Sequence, residues 1–281
     1  MRIDSHQHFW KYDPLLYPWI TEGMKRIKKD FMPEDLKPVL ERNGFEGSIA
    51  VQAVQAEGET EILLDLASKN AFIKGVIGWV NPNGGELRNS LERFCQNNFF
   101  KGIRHTEWDS HGEFLLTDNF IKFVEILQDL RLPLDLLVFD YQLPSAIALT
   151  RQFPEQTFVL NHCGNPDLSK GIDSTWQKNI RAIATSEKVF CKISGLATAL
   201  QKGGQAISLQ PYLEVLAEAF GPGRLIFGSD WPVCLTAASY LEVVKIVRSY
   251  ENIFTEGEME LIWGENATSV YSLREKTLDP E

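Results

Sequence analysis

Eight short apolar runs alternate with helix-patterned segments along the whole of this chain, and that rhythm limits its fold more than any other feature. The runs cover residues 2–8, 47–52, 73–80, 100–105, 134–139, 157–162, 189–194 and 224–230. Between them, apolar residues recur at helical spacing. In 59–69 the stripe is Ile62, Leu63, Leu66 and Ala67; in 118–130 it is Phe120, Ile121, Phe123, Val124 and Leu127. Strands that alternate with helices run parallel, and eight of them close most economically into a (β/α)8 TIM barrel of the α/β class. The length of 281 residues suits this, since such a barrel takes about 250. An open doubly wound sheet is the competing arrangement, but no G-x-G-x-x-G turn follows the first run. No repeat, low-complexity tract or linker interrupts the pattern. Residues 1–281 therefore read as a single domain, ending in a closing helix over 255–271 that starts on the capping box Thr255-Glu256-Gly257-Glu258.

Charge narrows the partners. The formal net charge is −10 and the sequence pI about 5.1, which argues against nucleic acid and against an anionic membrane surface. No apolar stretch is long enough to cross a bilayer, and the first residues lack the apolar core of a signal peptide. The four cysteines, Cys95, Cys163, Cys191 and Cys234, form no close pair. They suit a reducing, cytoplasmic setting and read as small buried hydrophobes. A small-molecule substrate is the expected partner, with a homo-oligomer compatible with the sequence and no organic cofactor expected.

The unusual residues gather at the C-terminal ends of the expected strands, where a barrel carries its active site. His6 and His8 end the first, Gln52 the second, Arg104 and His105 the fourth, His162 the sixth and Asp230 the eighth, with Lys192 and Ser194 near the end of the seventh. Strand alternation puts Asp4, His6 and His8 on one face. It puts Arg104 and His105 on opposite faces, so a regular strand lets only one of them look inward. Arg104 is the better clamp for substrate oxygens, although His105 could reach the mouth from just beyond the strand. Trp10, Trp79, Trp108 and Trp231 also fall near strand ends, where an indole can stack on a sugar ring or simply pack loop against barrel. Lys192 can bind substrate oxygens or pair with a carboxylate inside the barrel.

Four pieces of sequence, taken together and in order, carry a family resemblance. They are His6-Gln7-His8-Phe9-Trp10, Lys101-Gly102-Ile103-Arg104-His105, Asn161-His162-Cys163-Gly164 and Phe227-Gly228-Ser229-Asp230-Trp231-Pro232. The chain resembles the amidohydrolase superfamily, and within it the amidohydrolase-2-type, lactonase-rich group, from Met1 to about Tyr271. The resemblance implies that His6 and His8 can hold a divalent metal, that His162 is a metal ligand or an electrophile toward a carbonyl, and that Asp230 is the general base on an attacking water. It implies hydrolysis of a sugar lactone, an aldonolactone such as L-fucono-1,5-lactone. Arg104, His105, Gln52, Trp79, Trp108, Lys192 and Trp10 would then bind the substrate. The chain departs from the metal-dependent pattern in two respects: the fifth run, 134–139, has no histidine, and no lysine stands at the right end of the fourth to bridge two metals. At most one zinc is therefore expected, held by His6, His8 and Asp230, and lactone opening need not require it. The same superfamily branch contains a second chemistry, zinc-dependent non-oxidative decarboxylation of an aromatic or muconate-type acid. The missing histidine counts against it.

Overall fold

A computed structural model describes residues 1–107, 112–199 and 208–273. Eight strands form one parallel sheet in sequence order: β1 Ile3–Gln7, β2 Gly47–Val51, β3 Ile73–Gly78, β4 Phe100–His105, β5 Leu134–Leu136, β6 Phe158–Leu160, β7 Val189–Ile193 and β8 Leu225–Phe227. The helices are α1 Pro33–Arg42, α2 Glu57–Lys69, α3 Leu87–Cys95, α4 Asp118–Asp129, α5 Leu143–Gln152, α6 Ser174–Ile183, α7 Leu196–Ala199, α8 Gln210–Phe220, α9 Tyr240–Arg248, α10 Glu256–Glu260 and α11 Asn266–Val270. The first and last strands meet through a Gln7–Trp231 bridge, with His8 N donating to the Trp231 carbonyl at 2.7 Å and Asp230 N to the His6 carbonyl at 2.8 Å. This is the expected (β/α)8 barrel. Among the described residues no helix is long and apolar enough to cross a membrane.

The expected strand positions hold, but three strands are only about half as long as their apolar runs or less. β5, β6 and β8 each have three paired residues. The chain leaves the sheet early there, so His162 and Asp230 stand beyond their strands rather than on them. Strand alternation also fails in β1, whose pairing with β2 is irregular between Asp4 and Gln7. Ile3 faces the barrel interior with Ile49, Val51, Ile77, Val159 and Ile226. Asp4 does not share a face with His6 and His8. Its carboxylate is taken by Ser229 N at 2.9 Å, Ser229 Oγ at 2.6 Å and the Tyr240 hydroxyl of α9 at 3.1 Å.

The closing helix starts as expected, with Thr255 and Glu258 bonding reciprocally, but it is interrupted at Gly264, so α10 and α11 stand in place of one continuous helix. Its end plugs the bottom of the barrel: Ala267, Tyr271 and Leu273 pack against the interior aliphatics. The Tyr271 hydroxyl donates to Asp135 Oδ1 at 2.7 Å. Asp135 Oδ2 accepts from Lys192 Nζ at 2.6 Å and from Asn161 Nδ2 at 2.9 Å. Lys192 and Asp135 are both fully buried, and an enclosed ion pair is tolerable only when its remaining hydrogen-bonding capacity is met in this way. Three of the cysteines are buried and Cys95 is exposed.

Removing one half of this pair should be far worse than removing both. Asp135→Ala strands the Lys192 ammonium and should lower stability by about 3–5 kcal/mol. Asp135→Leu combined with Lys192→Met should recover most of that loss, as read from denaturant midpoints. Equal losses in the single and double variants would show that the pair is not what holds the barrel floor.

Candidate active site

The mouth of the barrel brings together four side chains that sequence reasoning named. His6 and His8 leave β1, His162 stands two residues past β6 and Asp230 three past β8. The rings of His6 and His162 are 4.6 Å apart and those of His6 and His8 5.1 Å. Asp230 Oδ1 lies 3.3 Å from His8 Nε2 and 3.7 Å from His6 Nε2. One ligand atom from each of His6, His162 and Asp230 falls within 4.8 Å of the others. This triad differs from the expected metal set by exchanging His8 for His162.

Local backbone explains these positions. His162 and Asp230 both adopt left-handed conformations, with φ of 52° and 58°, which turn the side chains inward after the strands have ended. Gly228 makes room for His6: a Cβ there would lie 2.7 Å from the His6 Cβ. Gly195 does the same for His162. Its φ is +73°, and a Cβ would come within 2.8 Å of His162 Cβ and 2.9 Å of the ring.

Hydrogen bonds fix much of the protonation. His8 Nδ1 is 2.7 Å from the Val51 carbonyl, which can only accept, so Nδ1 carries the proton and Nε2 a lone pair. That lone pair faces the Asp230 carboxylate. Two acceptors at this distance repel unless a proton or a cation lies between them. The donor set thus suits a divalent metal: bare imidazole nitrogen and carboxylate oxygen, converging and unanswered. His162 Nδ1 bonds Ser194 Oγ at 2.8 Å. A hydroxyl can donate or accept, so His162 Nε2 can serve as a ligand or as an N–H donor.

Burial keeps the imidazoles neutral. It holds His6 well below its usual pKa, helped by the positive charges of Lys192 and Arg104 and by the neighbouring histidines. It also lowers His8, and lowers His162 to about 4. Burial pushes Asp230 the other way, but His162, His8 and Arg104 outweigh it, and the carboxyl ends below its ordinary value. At neutral pH the mouth holds one carboxylate among neutral imidazoles, faced by the Arg104 cation.

The residues expected to bind substrate separate into groups. Arg104 faces inward, with Nη1 3.2 Å from His6 Nε2 and Nη2 donating to the Gln52 carbonyl. His105 faces outward among Phe114, Phe120 and Phe123. Gln52 Nε2 approaches the Arg104 carbonyl at 3.4 Å, so this side chain braces Arg104. Lys192 is committed to Asp135 below the site. Trp10 lies behind His8, ring to ring at 6.3 Å, with its indole N–H given to the Lys29 carbonyl at 2.9 Å. Trp79 is half-buried and its indole nitrogen has no partner. Trp108 lies outside the described residues.

A (β/α)8 barrel whose rim gathers imidazoles around one carboxylate has the groups of a hydrolytic barrel enzyme. More particularly, the chain belongs to the amidohydrolase family, whose profile matches residues 3–273. It is 37% identical to an L-fucono-1,5-lactonase of Burkholderia multivorans, over 98% of this chain and 97% of that one. It is 31% identical to an L-fucono-1,5-lactonase of Burkholderia ambifaria, over 85% and 83%. A crystal structure of an amidohydrolase from Burkholderia multivorans with bound zinc superposes with a TM-score of 0.91 at 38% identity, covering 98% of this chain and 100% of that one.

Sequence reasoning missed Gly195 and Glu59. The Ser194-Gly195 step at a strand end was the available signal for the first. Glu59 gave none, because it reads as an ordinary residue in the first turn of a helix. It is 6% exposed, with Oε2 accepting from Ala53 N at 2.8 Å and Val54 N at 2.9 Å. Its Oε1 is buried without a partner. Burial raises its pKa from the usual 4.5 to about 7. A carboxyl raised on folding contributes stability that is fully present below the unfolded value and lost as the pH climbs through the folded one. Glu59→Gln keeps an acceptor for the two amides and cannot ionise. Between pH 4.5 and 8 the stability gap should move in the variant's favour by on the order of 2–3 kcal/mol, read from denaturant midpoints at both ends. An unchanged gap would mean that the carboxyl is not sealed from water.

Proposed function

We propose that this chain hydrolyses a sugar lactone, an aldonolactone of the L-fucono-1,5-lactone type, by attack of water on the ring carbonyl. The observation that carries the reading is Asp230, an ionised, buried carboxylate at the barrel mouth, ringed by His6, His8, His162 and Arg104. The likeness to two L-fucono-1,5-lactonases supports the choice of substrate class. Asp230 takes a proton from the attacking water and returns it to the ring oxygen as the C–O bond breaks. His8, fixed by its Nδ1–H bond to the Val51 carbonyl, presents its Nε2 lone pair beside the same carboxylate, where it can accept a proton of the bound water. His162, braced by Ser194, faces the carbonyl side, and Arg104 supplies positive charge where the oxyanion develops. The half-buried Trp79 offers its unpartnered indole N–H to a substrate hydroxyl.

His6, His162 and Asp230, with the bare Nε2 of His8 beside them, are the residues that would hold a divalent ion, and the zinc in the related structure supports zinc as that ion. Such an ion would polarise the carbonyl and acidify the water. A lactone is an activated ester and Arg104 already lends a charge to the same place, so the ion assists without being indispensable.

Purified protein should release acid from aldono-1,5-lactones in an indicator assay, and Asp230→Asn should lower kcat by about 10²–10⁴ with little change in KM. Dialysis against a chelator should leave measurable turnover. The acid limb of kcat/KM should lie at or below about pH 4, because Asp230 sits below its ordinary range and His162 stays neutral down to about 4. Full activity in Asp230→Asn would remove the general base from the mechanism, and silence toward a whole lactone panel would remove the function.

A further inference from the structure

We propose that Arg104 and a divalent metal ion compete for a single lone pair, that of His6 Nε2, so that Arg104 sets how readily the site is metallated. Arg104 Nη1 stands 3.2 Å from His6 Nε2. A guanidinium has no acceptor atom and keeps its proton inside proteins, so it donates and Nε2 accepts. A neutral imidazole with a bare Nε2 carries its proton on Nδ1. In His6 that Nδ1 is buried and has no hydrogen-bond partner. Both nitrogens are therefore closed to a metal, one by an engaged lone pair and the other by a proton. His6 can join His162 and Asp230 around an ion only if the bond to Arg104 breaks.

Arg104 is well held against such a displacement. Its Nη2 donates to the Gln52 carbonyl, and Gln52 Nε2 reaches back to the Arg104 carbonyl at 3.4 Å. The next two residues, Ala53 and Val54, are pinned through their amides to Glu59. Among the described residues no carboxylate lies within ion-pair distance of Arg104, so its charge answers Asp230 across the site rather than a partner of its own. A dication entering the triad would meet this fixed cation as well as losing the His6 lone pair. The guanidinium and the metal thus act as alternative cations for one carboxylate.

The inference rests on reading His6, His162 and Asp230 as the metal-holding set, and adds the residue that limits their occupancy. Zinc affinity measured against a chromophoric chelator, in the metal-stripped full chain, tests it. Arg104→Met, which cannot donate, should bind zinc roughly tenfold or more tightly than the parent, and adding His6→Gln should abolish the gain. Unchanged or weaker zinc affinity in Arg104→Met overturns the proposal, as does a gain that survives His6→Gln. Should Arg104→Met fail to fold, the parent decides through its imidazole ¹⁵N spectrum, with His6 assigned by its loss in His6→Gln. The metal-free protein should show His6 protonated on Nδ1, and a proton on Nε2 overturns the proposal. Lactone turnover by the same preparations separates the two readings. Turnover with zinc affinity indifferent to Arg104 sinks the competition alone, whereas no turnover in any preparation sinks the lactonase reading and leaves the zinc comparison to decide the competition.

Discussion

A carboxylate enclosed by protein is costly unless something answers its charge, and the mouth of this barrel is arranged around one, Asp230. Its backbone N–H bonds the His6 carbonyl across the gap between β8 and β1, and the next residue's carbonyl accepts from His8 N. The contact that closes the barrel is thus the contact that sets the carboxylate against both histidines. Closure and site geometry cannot drift apart, because the same backbone bonds enforce both. Arg104 answers the charge from the opposite side of the mouth, on β4, braced by Gln52.

The interior divides into two levels with opposite character. Below, the Lys192–Asp135 pair is closed by Tyr271 and Asn161, and the aliphatics of β1, β2, β3, β6 and β8 pack against the C-terminal plug. Those charges are matched and inert. Above, groups are left unmatched: His8 Nε2 faces an acceptor, His6 Nδ1 faces nothing, and the indole nitrogen of Trp79 has no partner. Buried polar atoms without partners are rare in folded proteins, and those of His6 and His8 stand where a ligand would complete their bonding.

Much of this was legible in the chain itself. Apolar periodicity located every strand, since parallel barrel strands are buried on both faces and read as continuous apolar runs. The rim residues followed from where those runs stop. What periodicity could not supply was the course of the chain once alternation fails. The irregularity in β1 removed Asp4 from the histidine face, and the early exits of β6 and β8 moved His162 and Asp230 off their strands. Glu59 was invisible, and Gly195 easy to pass over, for a related reason. Their roles come from long-range neighbours, the 53–54 amides and the His162 ring, that no local pattern announces. That Arg104 and His105 face opposite ways did follow from β4 alternation, which holds where β4 pairs with β5 from Ile103 to His105; which of the two faces inward did not.

The two side chains asked to do the chemistry arise from backbone that L residues seldom adopt. His162, Cys163, Asn165 and Asp230 all have positive φ, at roughly 1–3 kcal/mol each. Glycine would relieve that strain but would bring no imidazole and no carboxylate. A regular strand would avoid it too, yet would project His162 and Asp230 along the barrel wall rather than toward one point. The strain is borne by the packing beneath, where Lys192, Asp135 and the aliphatic floor leave the ends of β6 and β8 little freedom to relax. The matched ion pair below is therefore what allows the rim above to remain unsaturated, and an unsaturated, strained rim is the condition for binding a cation, a water or a lactone there.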